Sequence, residues 1–136
     1  MSAPKEFGTV PSVEVTILVD SIAGMLAKST DNVKRYSGEP LIAEPGFAVL
    51  IDLPPENLRV LWDAGASASA VLENLRRMEI DPTSIDVIAL SHGHWDHVAG
   101  LSEILRAVRS SPELRMFPAG TTDEELAEYA KPRTIP

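Results

Sequence analysis

The sequence predicts an α/β domain, and three observations carry that prediction. Runs rich in apolar and β-branched residues have the length of strands at 13–19, 47–51, 58–62 and 86–90. Two longer segments repeat apolar residues at helical spacing, at 67–79 and 98–109. All three histidines lie within residues 92–97, directly after the last apolar run. Since open α/β sheets bind ligands at the carboxyl ends of strands, we expect the functional site there.

The length and charge of the chain limit what it can be. Its 136 residues suffice for one domain with a core, and we expect a single domain over residues 1–136 with residues 1–12 as a flexible leader. The formal net charge of −8 opposes a nucleic-acid partner, because such binding relies on Lys and Arg to neutralise phosphates. A small-molecule substrate, including an anionic one, stays compatible because a bound metal changes the local field.

Three features that the sequence lacks limit the cellular compartment in which we expect the protein. The chain has no cysteine, which excludes disulfides and thiolate metal ligands. Residues 1–7 contain no apolar core of the signal-peptide type. No segment approaches the roughly 20 apolar residues of a membrane span. We therefore expect a cytoplasmic protein with no membrane partner.

The apolar runs predict a strand, a hairpin and a further strand that leads to the histidines. Residues 13–19 alternate at their start, as a half-buried strand does. Residues 47–51 and 58–62 flank Pro54-Pro55-Glu56-Asn57, which predicts a hairpin because proline cannot continue a central strand. The continuous run Val87–Leu90 predicts a buried strand over residues 86–90.

The helical segments predict which side chains face the core. In residues 67–79 the inward stripe is Val71, Leu72, Leu75 and Met78, and we expect water to meet Glu73, Asn74, Arg76 and Arg77. Asp81-Pro82 predicts an N-cap and the first position of a short helical turn. In residues 98–109 the stripe that packs on the sheet is Leu101, Ile104, Leu105 and Val108. A brief strand at 114–117 and a last helix that starts with a capping box at 122–125 should follow.

Residues 21–45 carry the weakest pattern. Helical spacing at 22–26 is weakened by Gly24, and the polar residues 28–40 predict a long loop beside the site. Lys34, Arg35 and Tyr36 either meet an anionic substrate there or form a solvated loop face. We favour the solvated face.

The histidine cluster has the residue types and spacing of a metal site. Neutral imidazole and carboxylate are usual ligands of zinc, and also of iron or manganese. An extended segment would direct His92 and His94 to the same side, whereas Asp96 and His97 would point in different directions in a turn. One pair could hold one ion while the other pair helps to hold a second. A solvated loop that happens to be rich in histidine is the less favoured interpretation.

Residues 92–97 match the His-x-His-x-Asp-His signature, and on this ground the chain resembles the metallo-β-lactamase-fold superfamily. Leu61-Trp62-Asp63-Ala64-Gly65 resembles the family's strand that ends in Asp-x-Gly. Two further segments, 16–20 and 80–92, resemble the branch related to dihydropterin–ribofuranosylaminobenzene-phosphate synthases. The resemblance spans residues 13–105.

The resemblance implies a fold and a site. The fold would be the N-terminal half of a metallo-β-lactamase αβ/βα sandwich, a mixed sheet with helices on one face. The metal ligands would be His92, His94, Asp96 and His97, with one or two Zn²⁺ ions and with Fe or Mn as alternatives. Asp96 would also act in catalysis by orienting the attacking water. Asp63 would accept a hydrogen bond from a ligand histidine, a role that we favour over capping the next helix.

The chain departs from the resemblance after His97. A full family member supplies a further histidine, a bridging carboxylate and a final histidine, whereas no histidine follows His97 here. The chain thus resembles a truncated domain, the first half alone, which would expose a sheet face that favours association. We expect a homo-oligomer or a complementing C-terminal chain.

Three functions follow as alternatives. The leading hypothesis is a metal-dependent hydrolase-like protein that uses a metal-activated water. The second is a non-catalytic metal-binding fragment or association module that lacks the C-terminal ligands. The third, a pterin-branch synthase-like enzyme, follows from the resemblance alone.

Overall fold

A computed structural model describes residues 9–22 and 28–109, and within them four strands form one mixed sheet. In chain order the strands are β1 (Glu14–Val19), β2 (Ala48–Leu53), β3 (Leu58–Trp62) and β4 (Val87–Ala89). β2 pairs antiparallel with both β1 and β3, while β4 pairs parallel with β3. The predicted first strand and hairpin are confirmed.

The helices of the described residues are α1 (Ala68–Arg77), α2 (Trp95–Val98) and α3 (Leu101–Arg109), and short 3-10 turns cover Pro54–Glu56 and Pro82–Ser84. Local capping explains where two of these elements begin. The Ser67 hydroxyl accepts a hydrogen bond from the Ala70 N–H at the start of α1, and the Asp81 carboxylate accepts one from the Thr83 N–H. The elements expected after residue 109, and most of the helical spacing at 22–26, lie outside the described residues.

One face of the sheet packs against the helices and forms the core. Leu18, Leu50 and Leu61 come from neighbouring strands, and each is almost completely buried. They pack with Leu75 of α1 and Ile104 of α3. Burying a side chain of this size contributes about 1.5–3 kcal/mol, so this cluster holds the helices on the sheet. The α/β class with helices on one face is therefore as expected.

The opposite face of the sheet is apolar, and the described part of the chain covers it only in part. Strand pairing aligns its side chains in two rows, Val15–Ile51–Val60–Val87 and Ile17–Val49–Trp62–Ala89. We call these eight residues the open face, in which Val49 alone is buried, at 6% exposure. Its most exposed members are Val15 (58%), Ile17 (54%), Val87 (45%) and Trp62 (40%).

This open face corrects the expectation of a buried strand at residues 86–90. Val87 lies on the open face, and Leu90 just beyond the strand is exposed as well. β4 is also an edge strand, because it pairs only with β3 in the sheet of the described residues. A continuous apolar run predicts a strand that is buried on both faces. In the described residues the face of β4 that carries Val87 is covered only in part.

Asn74 corrects the expected outer face of α1. It was expected in water, yet it is fully buried. Its amide nitrogen donates to the backbone oxygens of Leu18 and Ile42 at 2.7 and 2.8 Å, and its amide oxygen accepts from the Ile42 N–H at 2.8 Å. The amide thus satisfies backbone groups of β1 and of the loop at Ile42, which a single-helix pattern does not reveal.

The helix predicted over residues 98–109 differs at its start. Helical structure begins at Trp95, and α2 and α3 are separated at Ala99 and Gly100. Gly100 packs so closely on the segment after β3 that an added Cβ would overlap the Ala64 carbonyl oxygen. A side chain larger than hydrogen would not fit at the break between α2 and α3.

The loop predicted at residues 28–40 is confirmed, and the segment that contains it is fastened to α1. The Tyr36 hydroxyl donates to the Arg77 backbone oxygen, and Glu44 accepts hydrogen bonds from the Ser67 N–H and hydroxyl. Lys34 and Arg35 are exposed, which agrees with a solvated loop face. None of the helices in residues 9–22 and 28–109 combines the length and apolar character that a membrane crossing requires.

Candidate metal centre

The sheet brings Asp63 and the histidine cluster to one edge. β3 and β4 are parallel, so their carboxyl ends lie side by side. Asp63 directly follows β3, and residues 91–97 follow β4. This is the position at which open α/β sheets bind ligands.

Backbone hydrogen bonds fasten the histidine loop to its neighbours. The Asp63 N–H donates to the Ala89 oxygen at 2.8 Å, and the Ala64 N–H donates to the His97 oxygen at 2.8 Å. The Phe47 N–H donates to the Asp96 oxygen at 3.3 Å. Gly46, at φ 127°, passes so close to this oxygen that an added Cβ would overlap it. The backbone of Asp96 and His97 is therefore held from two sides.

The Asp63 carboxylate organises the floor of the site. Asp63 is 1% exposed and lies at φ 63°, a left-handed conformation that Asp and Asn adopt more readily than most residues. Its Oδ1 accepts from the Ser91 N–H at 2.7 Å. Its Oδ2 lies 2.7 Å from the Ser91 hydroxyl and 2.7 Å from Nδ1 of His97. Ser67 rather than Asp63 caps α1.

The environment of Asp63 keeps it ionised. Burial of the carboxyl acts to raise its pKa, but the hydrogen bonds from the Ser91 N–H, the His97 ring and the Ser91 hydroxyl together outweigh burial. The pKa of Asp63 therefore lies below its ordinary value of 3.8. At neutral pH this residue acts only as an acceptor.

The three imidazole rings lie together above this carboxylate. The ring centroids of His92 and His94 are 4.5 Å apart, and those of His92 and His97 are 4.2 Å apart. Oδ2 of Asp96 lies 3.7 Å from Nε2 of His97. Asp96 and His97 were expected to point apart in a turn, but both belong to α2 and their side chains approach one another. The structure thus brings together all four residues singled out from the sequence.

The chemistry of this donor set fits a divalent ion, whose usual ligands are imidazole nitrogen and carboxylate oxygen. As the side chains stand, no three or more His, Asp or Glu residues of the described ranges are arranged to hold one. His92 and His94 are exposed, whereas His97 is partly buried and held by Asp63. That these residues coordinate metal stays a prediction.

Ser91 is the residue of the candidate site that the sequence analysis did not predict. Its hydroxyl lies 2.9 Å from Nδ1 of His92 in addition to its contact with Asp63. The available signal was its position directly before the histidine signature, at the end of a strand. Trp95, within the histidine signature, is 64% exposed.

A cavity of about 530 Å³ lies at the other end of the sheet, away from the histidines. Carboxylates of Glu14, Asp52 and Asp86 line it, together with the Arg59 guanidinium. Arg59 already donates to Asp52 at 2.6 Å and to Ser84 at 2.7 Å. Arg59 is thus already engaged by the lining of the cavity, and the histidine cluster remains the candidate functional site.

Residues 41–112 match the family model of the Metallo-beta-lactamase superfamily. The chain belongs to the metallo-β-lactamase superfamily. This membership agrees with the mixed sheet, with the helices on one face and with the histidine loop at the carboxyl end of β4. Proteins of this superfamily generally bind metal ions.

Individual relatives are similar over the same part of the chain. A 7,8-dihydropterin-6-methyl-4-(beta-D-ribofuranosyl)-aminobenzene-5'-phosphate synthase of Methanocaldococcus jannaschii is 33% identical over 88 residues, which cover 57% of this chain and 30% of that protein. An uncharacterized protein of the same organism is 41% identical over 73 residues, covering 54% and 27%. A ribonuclease Z of Aeropyrum pernix is 34% identical over 67 residues, covering 49% and 21%.

The chain spans less than a third of the length of each of these curated relatives. The similarity to the synthase agrees with the branch that the flanking segments resemble. The activities of the relatives belong to proteins much longer than the matched segments.

Proposed function

We propose that this chain supplies the metal-holding part of a metal-dependent hydrolase of the metallo-β-lactamase superfamily. The observation that supports the proposal is the buried Asp63 carboxylate. Its Oδ2 lies 2.7 Å from Nδ1 of His97, and the His97 ring is clustered with the rings of His92 and His94. Proteins bury a carboxylate of this kind behind a ligand histidine in order to orient the ring.

In this proposal each residue has a defined task. His92, His94, Asp96 and His97 would hold one or two ions, with Zn²⁺ first and with Fe or Mn as alternatives. A bound ion would supply a Lewis acid, which acidifies water and polarises a substrate carbonyl or phosphoryl oxygen. Asp96 would also orient the attacking water, and Asp63 would keep the proton of His97 on Nδ1. The substrate would be a small molecule, with anionic compounds included.

We also propose that turnover depends on protein that covers the open face. Val15, Ile17, Trp62 and Val87 expose apolar surface on the same face of the described sheet. The chain also spans only 21–30% of the length of its curated relatives. The cover that we propose is a complementing C-terminal chain or a second copy of this chain.

The same open face favours a second candidate, a non-catalytic metal-binding or association module. In that case metal would bind and the chain would associate, but phosphodiester, thioester and lactam substrates would not be hydrolysed. Adding the C-terminal half of a longer relative as a separate chain distinguishes the candidates. Turnover that appears on its addition supports the hydrolase, whereas stable association without turnover supports the module.

A finer alternative is an activity like that of the pterin-branch synthase. Its support is the similarity to the synthase of Methanocaldococcus jannaschii, at 33% identity over 57% of this chain. The complemented protein can be assayed for two activities: formation of the compound that the synthase's name gives, and hydrolysis of the substrates above. Product formation without hydrolysis would separate the synthase activity from a general hydrolase.

The direct test of metal binding is metal content by mass spectrometry on protein purified without added metal. We expect near-stoichiometric zinc, iron or manganese in the wild type and loss of that metal in a His92→Ala/His94→Ala double variant. A matched control is Glu103→Ala, which removes an exposed acidic side chain on α3. A wild type that carries no metal would contradict the proposal, as would a double variant that retains it.

A further inference from the structure

Ser91 stands between the buried carboxylate and the first histidine of the cluster. Its backbone N–H donates to Oδ1 of Asp63 at 2.7 Å, and its hydroxyl oxygen lies 2.7 Å from Oδ2. On its other side the same hydroxyl oxygen lies 2.9 Å from Nδ1 of His92. Two contacts to Asp63 fix the serine, so its hydroxyl is presented to His92 in a defined position.

We propose that Ser91 is a positioning residue. Its hydroxyl donates to Asp63 and thereby selects the tautomer of His92. The number of protons available to the three side chains determines where each one lies. A serine hydroxyl carries one proton, and a carboxylate can only accept. The hydroxyl proton therefore goes to Asp63, which leaves the serine oxygen as an acceptor toward His92. The proton of that hydrogen bond must then lie on Nδ1 of His92.

His97 reaches the same state by direct contact. Its Nδ1 lies 2.7 Å from Oδ2 of Asp63, so Nδ1 carries the proton there as well. One buried carboxylate thus sets two imidazoles, His97 directly and His92 through Ser91. In both rings the lone pair is then on Nε2, and this is the atom through which a neutral imidazole can bind a metal ion.

His94 provides an internal comparison. In the described residues it makes a ring contact with His92 but no hydrogen bond through its own ring nitrogens. The network of Asp63 and Ser91 should leave its tautomer unaffected. A change at His92 without a change at His94 therefore reports the serine relay rather than a general disturbance of the loop.

The value of this tautomer to the protein rests on the proposed metal site. Partners of ligand histidines typically contribute 10–100-fold to metal affinity. Since Ser91 acts on one of the four expected ligands, we expect its removal to weaken Zn²⁺ binding about 10-fold. The tautomer itself is a property of the metal-free chain and can be measured without any metal.

The test is a measurement of ring tautomers by two- and three-bond ¹H–¹⁵N correlation on the labelled, metal-free protein, at a pH well above the ordinary imidazole pKa of about 6.5. We expect the Nδ1–H tautomer for His92 and His97 in the wild type. Ser91→Ala should release His92 from that tautomer while His97 keeps it. Ser91→Thr, which retains a hydroxyl, should restore the wild-type state of His92.

Each outcome decides something. An Nε2–H tautomer for His92 in the wild type, or an unchanged His92 in Ser91→Ala with His97 intact, overturns the relay. If the His92 tautomer responds as expected but the wild type binds no Zn²⁺ in a titration with that metal alone, the relay stands and the proposed function fails. If Zn²⁺ binds equally to wild type and Ser91→Ala and the His92 tautomer is unchanged, the proposed function stands and the relay fails.

Discussion

Nδ1 of His97 lies 2.7 Å from Oδ2 of Asp63, a residue 34 positions earlier in the chain. The contact exists because β3 and β4 are parallel and end at the same edge of the sheet. It links the end of one strand to the helix that follows the other. The candidate site is therefore built on the sheet and not on the histidine loop alone.

Replacing Asp63 by Asn should destabilise the protein by about 1–3 kcal/mol, because an amide cannot accept all the hydrogen bonds that the carboxylate accepts. Asn tolerates the left-handed backbone at this position, so the change reports the side chain. Urea unfolding measures the loss. The control is Asp81→Asn, where the exposed N-cap is replaced by an equally good one. Equal stability of Asp63→Asn and wild type would mean that the Asp63 network contributes nothing to the fold.

The stability of the fold should decrease in acid, and Asp63 should account for part of the decrease. Its pKa in the folded protein is below the ordinary value of 3.8, so the unfolded chain binds protons first as the pH falls. The stabilisation is therefore complete above the ordinary pKa and is lost as the pH falls through the folded one. Glu73 acts in the same direction, since hydrogen bonds from Arg76 and Arg77 lower its pKa to about 2.

Unfolding free energies measured between about pH 7 and about pH 2 test this dependence. Asp63→Asn should have a shallower acid slope than the wild type, because it has one fewer group whose pKa changes on folding. Glu73→Gln should remove the separate contribution of Glu73. If Asp63→Asn keeps the full wild-type slope, the acid sensitivity has another origin.

Gly100→Ala should destabilise the protein by about 1–3 kcal/mol, the usual cost of overpacking. The new methyl group would overlap the Ala64 carbonyl oxygen and press on the backbone of Ser67 and Ala68. Gly93→Ala is the matched control, because no heavy atom lies within 4 Å of the added Cβ. Thermal unfolding of the two variants gives the comparison. Equal melting temperatures would contradict the close packing of Gly100.

Polar substitution on the open face should reduce association without loss of folding. Ile17→Thr retains a β-branched residue on β1 but removes apolar surface from a side chain that is more than half exposed. Light scattering should show a lower apparent mass than for the wild type, and binding of a hydrophobic dye should fall. Val10→Thr changes an exposed valine outside the sheet and should alter neither measurement. Equal effects of the two variants would show that the open face is not the surface through which the chain associates.

Much of the local structure could be predicted because it depends on neighbours in sequence. The hairpin followed from two apolar runs around Pro54 and Pro55, and α1 followed from the spacing of Val71, Leu75 and Met78. The position of the histidines at the end of a strand followed from the run that precedes them. Asp63 could be linked to a histidine because the family pattern places a carboxylate at the end of β3.

Other features depended on contacts between distant segments. The α/β class, the cluster of four residues at 92–97 and the apolar side of each helix could be read from the amino-acid order alone, because periodicity and adjacency are local properties. The burial of Asn74, the link that Ser91 makes between Asp63 and His92, and the exposure of Val87 became apparent only in the folded chain. A hydrogen bond or a covering surface requires a partner, and the chain pattern around one residue carries no record of which distant residue folding will bring to it.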